Sequence, residues 1–344
     1  MGKNLSKNQS ILIYCSIVLV LLSSSFCAIL FYPQKNAYNH AKVTIKSGST
    51  LSQISNLLYE KNILSNRKMF ELAALLMGKE KEFPVGTFQI INTNSNYDII
   101  NQLVNEPPEV IKVRILEGWD TRKIASYLAE VMSFDSTMVM ELSRDRDFIA
   151  QNGLKVNSLE GYFFPDTYFF FKGDNPSNVL SHLIKQHKFF WNKTYELRAS
   201  QINLSKHEIV TLASIIEGEA IYNSERPKIS AVYHNRLNIN MKLQADPTIQ
   251  YIIEEPPRRL FNKDLRIKSP YNTYLNKGLP PGPINSPGKH SLLAALFPEE
   301  NDFLYFVARG DGYHTFSTNK RDHDKAKRKF QKIRRKIKRE RRNK

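Results

Sequence analysis

Two carboxylates stand where chemistry is most legible. Ile209, Val210, Leu212, Ala213, Ile215 and Ile216 form an apolar run, and Glu217-Gly-Glu219 follows it abruptly. A carboxyl set among apolar groups has its ionised form disfavoured, so its pKa rises. That is what a general acid needs at neutral pH. On a helix, positions two apart lie ~200° apart around the axis. The two side chains therefore cannot enter one cleft unless the helix ends between them, which Gly218 permits. The plainer alternative is a pair of solvated end-of-helix residues.

The residues downstream of the pair favour a site. His234, Asn235, Arg236, Gln244, Asp246, Asn272 and Asn285 lie among tyrosines and prolines. Polar groups, aromatic platforms and rigid proline turns suit a sugar-binding groove. From Asn238 to Gly288 the chain has little periodicity, and an irregular stretch of that length in a compact domain is usually functional. No H-x-x-x-H or H-E-x-x-H occurs, and no phosphate loop, G-x-S-x-G or nucleotide fingerprint. The only cysteines, Cys15 and Cys27, sit in the apolar N-terminal stretch, so the body has no thiolate. Neither metal nor cofactor is expected.

The acidic pair needs a helix beneath it. Ser205-Lys-His-Glu208 is a capping box that starts one, and a helix apolar nearly all round should be buried. Pro227 opens a second helix, Arg226 to Leu237, and Ser291 to Leu296 is a short third. Two aromatic runs around Arg309-Gly-Asp-Gly312 read as a β-hairpin. Upstream, Pro176 to Ser200 reads as one long helix with Leu180, Leu183, Ile184 and His187 on one face. Phe134 to Asn152 is helical, Arg67 to Met77 and Asn96 to Val104 are helices, and Gly86 to Ile91 is a strand. A repeat recurs at a spacing of 70 residues: Val43-Thr-Ile-Lys-Ser-Gly48 matches Val113-Arg-Ile-Leu-Glu-Gly118, and Ile54 and Leu58 match Ile124 and Leu128. Each copy is strand, Gly turn, helix.

Ile11 to Tyr32 is uncharged and would span ~33 Å as a helix, enough for a bilayer core. Lys3 and Lys7 precede it, and Lys35 and Lys42 come after it, which leans weakly toward an inside N-terminus. The run is longer than a signal-peptide core and lacks a small-residue cleavage site, so an uncleaved anchor is expected. The chain has 50 Lys/Arg against 33 Asp/Glu, a net of +17, and 15 of the bases lie in Lys320–Lys344 against three acids. The body is only mildly basic, which argues against nucleic acid as the partner. In the tail, Ala326, Phe330, Ile333 and Ile337 make a thin apolar stripe on a basic helix. Such helices lie on anionic surfaces.

The chain resembles the endolytic murein transglycosylases of the YceG-like (MltG) family. The residues that carry the resemblance are Leu159-Glu-Gly-Tyr-Phe-Phe-Pro-Asp-Thr-Tyr168, Ala213-Ser-Ile-Ile-Glu-Gly-Glu219, Val232-Tyr-His-Asn-Arg-Leu237 and Leu243-Gln-Ala-Asp-Pro-Thr248. Tyr271-Asn-Thr-Tyr274, Gly278-Leu-Pro-Pro-Gly-Pro-Ile-Asn-Ser-Pro-Gly288, Tyr305-Phe-Val-Ala-Arg309 and His314-Thr-Phe316 continue it. Two departures are Gly218, where the family often has Lys or Arg, and the basic tail.

The resemblance implies an α+β protein with an N-terminal transmembrane helix, a LysM-like β-α module and a lytic-transglycosylase-type catalytic domain with a long irregular loop region. The expected division is a cytoplasmic 1–10, an anchor at 11–32, the module at 43–156, the catalytic domain at 157–319 and the tail at 320–344. It implies cleavage of the β-1,4 bond between N-acetylmuramic acid and N-acetylglucosamine within nascent strands, leaving 1,6-anhydro ends and terminating elongation. One acid suffices, because the muramoyl 6-hydroxyl replaces water as nucleophile. Glu217 is the expected acid. Glu219, Glu160, Tyr162, Asp166, Asn235, Arg236, Gln244, Asp246, Tyr271, Asn272, Tyr274 and His314 are the expected supporting or substrate-binding residues. The implied partners are peptidoglycan strands, the cytoplasmic membrane and cell-wall synthases, with the catalytic domain on the outer side. The competing class is a non-catalytic, membrane-anchored peptidoglycan-binding or division scaffold.

Overall fold

Both copies of the repeat fold as strand, glycine turn and helix in a computed structural model, which describes residues 7–34, 41–91, 93–253 and 258–342. Lys3 and Lys35, counted above among the flanking charges, lie outside the described residues, as does the side chain of Ile337. The chain divides into two units. One comprises 1–112 with 169–175, the other 113–168 with 176–344. The two copies of the repeat therefore fall in different units, which divide after Lys112. Similar β-α pieces need not share a core.

The first unit carries α1 (Lys7–Leu30), β1 (Ala41–Ile45), α2 (Leu51–Glu60), α3 (Arg67–Leu76), β2 (Gly86–Ile90) and α4 (Asn96–Asn105). Ile11–Leu30 of α1 is long and apolar enough to cross a membrane; residues 11–28 are exposed, and Leu30 at its end joins the core of this unit. β1 and β2 run antiparallel with Val43 opposite Phe88. Helix α2 begins with a full capping box between Thr50 and Gln53, while Asn66 and Ser95 cap α3 and α4. Their inner faces place Ile54, Leu58, Phe70, Ile99 and Leu103 in one core with Val43 and Phe88. β3 (Val110–Arg114) and β4 (Thr167–Phe171) form a two-stranded ribbon of their own.

The second unit is mostly helical: α5 (Thr121–Met132), α6 (Ser136–Leu142), α7 (Arg146–Gln151), α8 (Pro176–Phe190), α9 (Lys193–Gln201), α10 (Lys206–Glu219), α11 (Arg226–Asn238), α12 (Asp246–Ile252) and α13 (Lys289–Leu296). The hairpin β5 (Tyr305–Ala308) and β6 (His314–Ser317) precedes α14 (Lys320–Arg342). The single helix expected over 176–200 is two, because the side chain of Asn192 accepts the N–H of Tyr195 and caps a new start. Such caps stop one helix and begin another at little cost. Helix α10 forms as read, with the Ser205–Glu208 capping box, and every residue from Ile209 to Ile216 is buried. It passes through Gly218 and includes Glu219, so it does not end between the two glutamates.

The basic segment is not a separate tail. The ring of His323 stacks on Tyr305 at 5.2 Å, and a Cβ on Gly310 would meet Ile333 at 3.6 Å and Phe330 at 3.7 Å. Part of the apolar stripe thus packs on the hairpin. Elsewhere, Gly161 holds a left-handed φ of 82°, and a Cβ there would lie 2.4 Å from Cβ of Pro283. The aromatic motif and the proline-rich loop meet at that point. Gly161→Ala should therefore destabilise by about 1–3 kcal/mol, as overpacking does, read as a lowered urea midpoint. An unchanged midpoint would mean that the two segments can separate freely.

Candidate active site

A cleft of about 740 Å³ opens beside the C-terminal end of α10. Gly218 and Glu219 form one wall, and Asp246, Pro247, Gln250 and Tyr251 of α12 another. Ile284 and Asn285 come from the proline-rich loop, and Gly118, Asp120, Arg122, Lys123 and Ser126 from the turn into α5 and its first turns. Pro247 approaches so closely that a Cβ on Gly218 would lie 2.6 Å from its own Cβ. A glycine lets the two helices meet there.

Glu219 is half-buried at this wall, and the hydroxyl of the fully buried Tyr233 donates to its Oε1 at 2.9 Å. Burial pushes its carboxyl up to about 7. The Asp246 charge adds to that, while the Tyr233 bond, Arg236 and the backbone N–H of Asp246 pull the other way. A carboxyl near 7 is divided between acid and base at neutral pH, which lets one group give a proton and take one back. Asp246 faces the same cleft and accepts the Tyr274 hydroxyl at 2.6 Å. The site so built has a poised acid, an adjacent carboxylate and the Arg122 guanidinium, which sits 5.8 Å over the Tyr251 ring.

Glu217 has a different surrounding. Its Oε1 accepts from Nη2 of Arg226 at 2.9 Å and its Oε2 from the backbone N–H of Gly288 at 2.9 Å. The two charged side chains are 6% and 5% exposed. Arg226 also donates to Asn223 at 2.9 Å and to Ser291. Both carboxylate oxygens of Glu217 are thus committed, and it is not among the residues lining the cleft. The ~200° separation of the two glutamates on one continuous helix accounts for this.

Of the other expected residues, Asp246 and Tyr274 join the Glu219 cluster. Arg236 lies beside it, with its donors held by the carbonyls of Leu304 and Leu243. Tyr271 backs the cleft through Tyr251, ring centroids 5.1 Å apart. Glu160 accepts the backbone N–H of Thr121 and so fixes the start of α5, and burial raises its carboxyl to about 8. Asn235 ties α11 to the carbonyls of Asn301 and Phe303. Asn272 is fully buried and braces the loop at Leu265 and Ile267. His314 donates to Glu225 at 2.9 Å through its backbone N–H, and its Nδ1 lies at the same distance from the other Glu225 oxygen. Gln244 is exposed in a left-handed turn, φ 48°, and Asp166 is exposed and bonds the next N–H. Tyr162 faces away toward His207. Asp120, Arg122 and Lys123 were not expected at the site. Their only local sign is an N-cap aspartate after a Gly turn, which any β-α unit can show. Among the described residues no group of three or more His, Cys, Asp or Glu is placed to hold a metal ion.

The family model described as the YceG-like family matches residues 43–329. The chain is 33% identical over 314 residues to the endolytic murein transglycosylase of Bacillus subtilis (strain 168), covering 86% of each. It is 27% identical over 325 residues to the endolytic murein transglycosylase of Streptococcus pneumoniae (strain ATCC BAA-255 / R6), covering 84% of this chain and 58% of that one. A crystal structure of a YceG-like protein from Listeria monocytogenes matches with a TM-score of 0.58 and 30% identity, over 83% of this chain and 98% of that one.

Proposed function

The chain belongs to the YceG-like family, and we propose that it is an endolytic murein transglycosylase whose acid and base is Glu219. The observation that carries this is the cleft-facing carboxyl of Glu219, raised to about 7 by burial. The protonated carboxyl gives its proton to the glycosidic oxygen as the bond to the muramoyl anomeric carbon breaks. The carboxylate then takes the proton of the 6-hydroxyl, whose oxygen bonds that carbon and closes the 1,6-anhydro ring. No water is consumed. Asp246, beside Glu219, carries negative charge toward the oxocarbenium-like centre. A pair of carboxylates also suits hydrolysis, and mass spectrometry of digested murein separates the two. Anhydromuramoyl ends are expected, and reducing ends would overturn the transglycosylase reading.

The acid form is the form that begins the reaction. Activity should therefore fall as pH rises through about 7. Tyr233→Phe removes a bond that favours the carboxylate, so the alkaline limb should move to higher pH. A limb that stays put would exclude Glu219 as its source. Stability follows the same sign. Glu219 and Glu160 are both raised, so the stability that they contribute is full below the ordinary carboxylate range and is lost as pH rises through about 7 and 8.

We read α1 as the anchor, with the catalytic unit outside the cytoplasmic membrane near cell-wall synthases, and β1–α2 as a LysM-like contact for glycan. The exposed bases of α14, such as Lys325, Arg328, Lys329 and Lys332, suit anionic headgroups at ~1 kcal/mol each. Neutralising these four to Gln should reduce binding of the anchor-free chain to anionic vesicles at low salt, and high salt should mimic the change. Equal vesicle binding would reduce α14 to a brace for the hairpin.

A further inference from the structure

A second cavity, of about 460 Å³, lies within the second unit, walled by α8, α9, the start of α10 and the loop after α7. It is not part of the Glu219 cleft. His187 lines it, is 2% exposed, and finds no hydrogen-bond partner for either ring nitrogen. Buried polar groups are ordinarily satisfied; these two nitrogens are not, and both are closed to solvent beneath the Tyr162 and Phe164 rings, so a ligand reaches them only if the imidazole turns toward the cavity. Burial holds this imidazole neutral, with its pKa down at about 3, and the Lys206 ammonium adds to the effect. The ring therefore offers one N–H and one lone pair.

Three ammonium groups belong to the same walls, those of Lys155, Lys188 and Lys206. Lys206 lies 5.4 Å over the Trp191 ring and pairs with Glu196 at 2.5 Å. Lys188 is exposed and donates to the carbonyl of Asn152 at 3.0 Å. A Cβ on Gly153 would stand 3.0 Å from the Lys188 nitrogen, so the glycine leaves room for that group. Tyr162 and His207 are already engaged. His207 Nε2 lies 2.9 Å from the carbonyl of Pro281 and donates there, so its Nδ1 accepts from the Tyr162 hydroxyl at 2.8 Å. Glu196 offsets Lys206, so the free charge is that of Lys155 and Lys188, beside a neutral imidazole and an indole wall. It suits a carboxylate at the end of a short chain.

Position adds to chemistry. His207 opens α10 and Glu219 closes it. Twelve residues of helix separate them by ~18 Å. A five-residue peptide in extended form reaches ~17 Å. Murein carries its stem peptides on the muramoyl sugar, the unit whose bond the Glu219 carboxyl attacks. We propose that this cavity binds the carboxylate end of a stem peptide hanging from the strand held in the Glu219 cleft, an inference that rests on the transglycosylase reading. The chain would then distinguish peptide-bearing strands from stripped ones.

The test uses the full-length chain in detergent carrying Trp119→Phe, which leaves Trp191 as the sole indole of the two in the sequence. Its fluorescence is titrated with acetyl-L-Lys-D-Ala-D-Ala, with the C-terminal amide of the same peptide, and with inorganic phosphate. The acid should bind saturably and the amide at least tenfold more weakly. Lys188→Gln and His187→Phe should each weaken the acid about tenfold. Lys188 is exposed, so its variant keeps the test alive should His187→Phe fail to fold. Equal binding of acid and amide, or none of either, overturns the proposal, and so does phosphate binding tighter than the peptide. In turnover, Lys188→Gln should lower about tenfold the ratio of kcat/KM on peptide-bearing strands to that on stripped strands, and an unaltered ratio counts against the site. Failure of the unaltered chain to cleave either strand speaks against the transglycosylase reading, while the titration still decides the cavity.

Discussion

Glu219→Gln is expected to leave the protein folded and to lower turnover about 10²–10⁴-fold, the usual cost of losing a general acid. The substitution keeps shape and volume, and Tyr233 can still donate to the side-chain oxygen. Below the ordinary carboxylate range stability should hardly change, because the native carboxyl is then neutral as well. Above pH 7 the variant should be the more stable of the two, since the native carboxylate is then ionised in a poor environment. Murein digestion followed by chromatography of the fragments reads turnover, and thermal unfolding reads the fold. Full turnover in a folded Glu219→Gln protein would sink the assignment and return the choice to another carboxyl of the cleft, Asp246 first.

That assignment differs from the one the sequence favours, and the difference has a physical cause. The apolar run Ile209 to Ile216 tells that α10 is buried, and the capping box tells where it starts. Both features depend on neighbours in the chain. Which of two glutamates at its end faces a cleft depends on what packs at either side, and those groups come from far away. Arg226 and Gly288 take Glu217, and Tyr233 and Asp246 flank Glu219. Gly218 suggests a helix end, yet its task is to admit Pro247. The same limit applies to the repeat. Strand, turn and helix are legible twice over, from Val43 and from Val113. The second copy's helix nevertheless turns its cap Asp120 and its residues Arg122 and Lys123 toward the Glu219 cleft. The stripe of Phe330 and Ile333 is legible as apolar and the hairpin as a hairpin, but that the one covers the other is not.

Glu217→Gln should behave unlike its neighbour, with a loss of about 3–5 kcal/mol of stability. Breaking one side of a buried ion pair strands the other charge away from water. Here that charge is the Arg226 guanidinium, 5% exposed, with Asn223 and Ser291 as its remaining partners. The same carboxylate holds the N–H of Gly288, the residue that leads into α13. Its loss therefore loosens α10, α11 and α13 where they meet, and turnover should fall with the fold. Removing both charges separates a structural role from a catalytic one. In Glu217→Gln with Arg226→Met no buried charge is left unpaired, so part of the stability should return, as it does when apolar residues replace a buried pair. Turnover at a temperature where this protein is folded should return with it. A double variant that is folded but still inactive would show that Glu217 takes part in the chemistry itself, and Glu219 would no longer suffice as the acid.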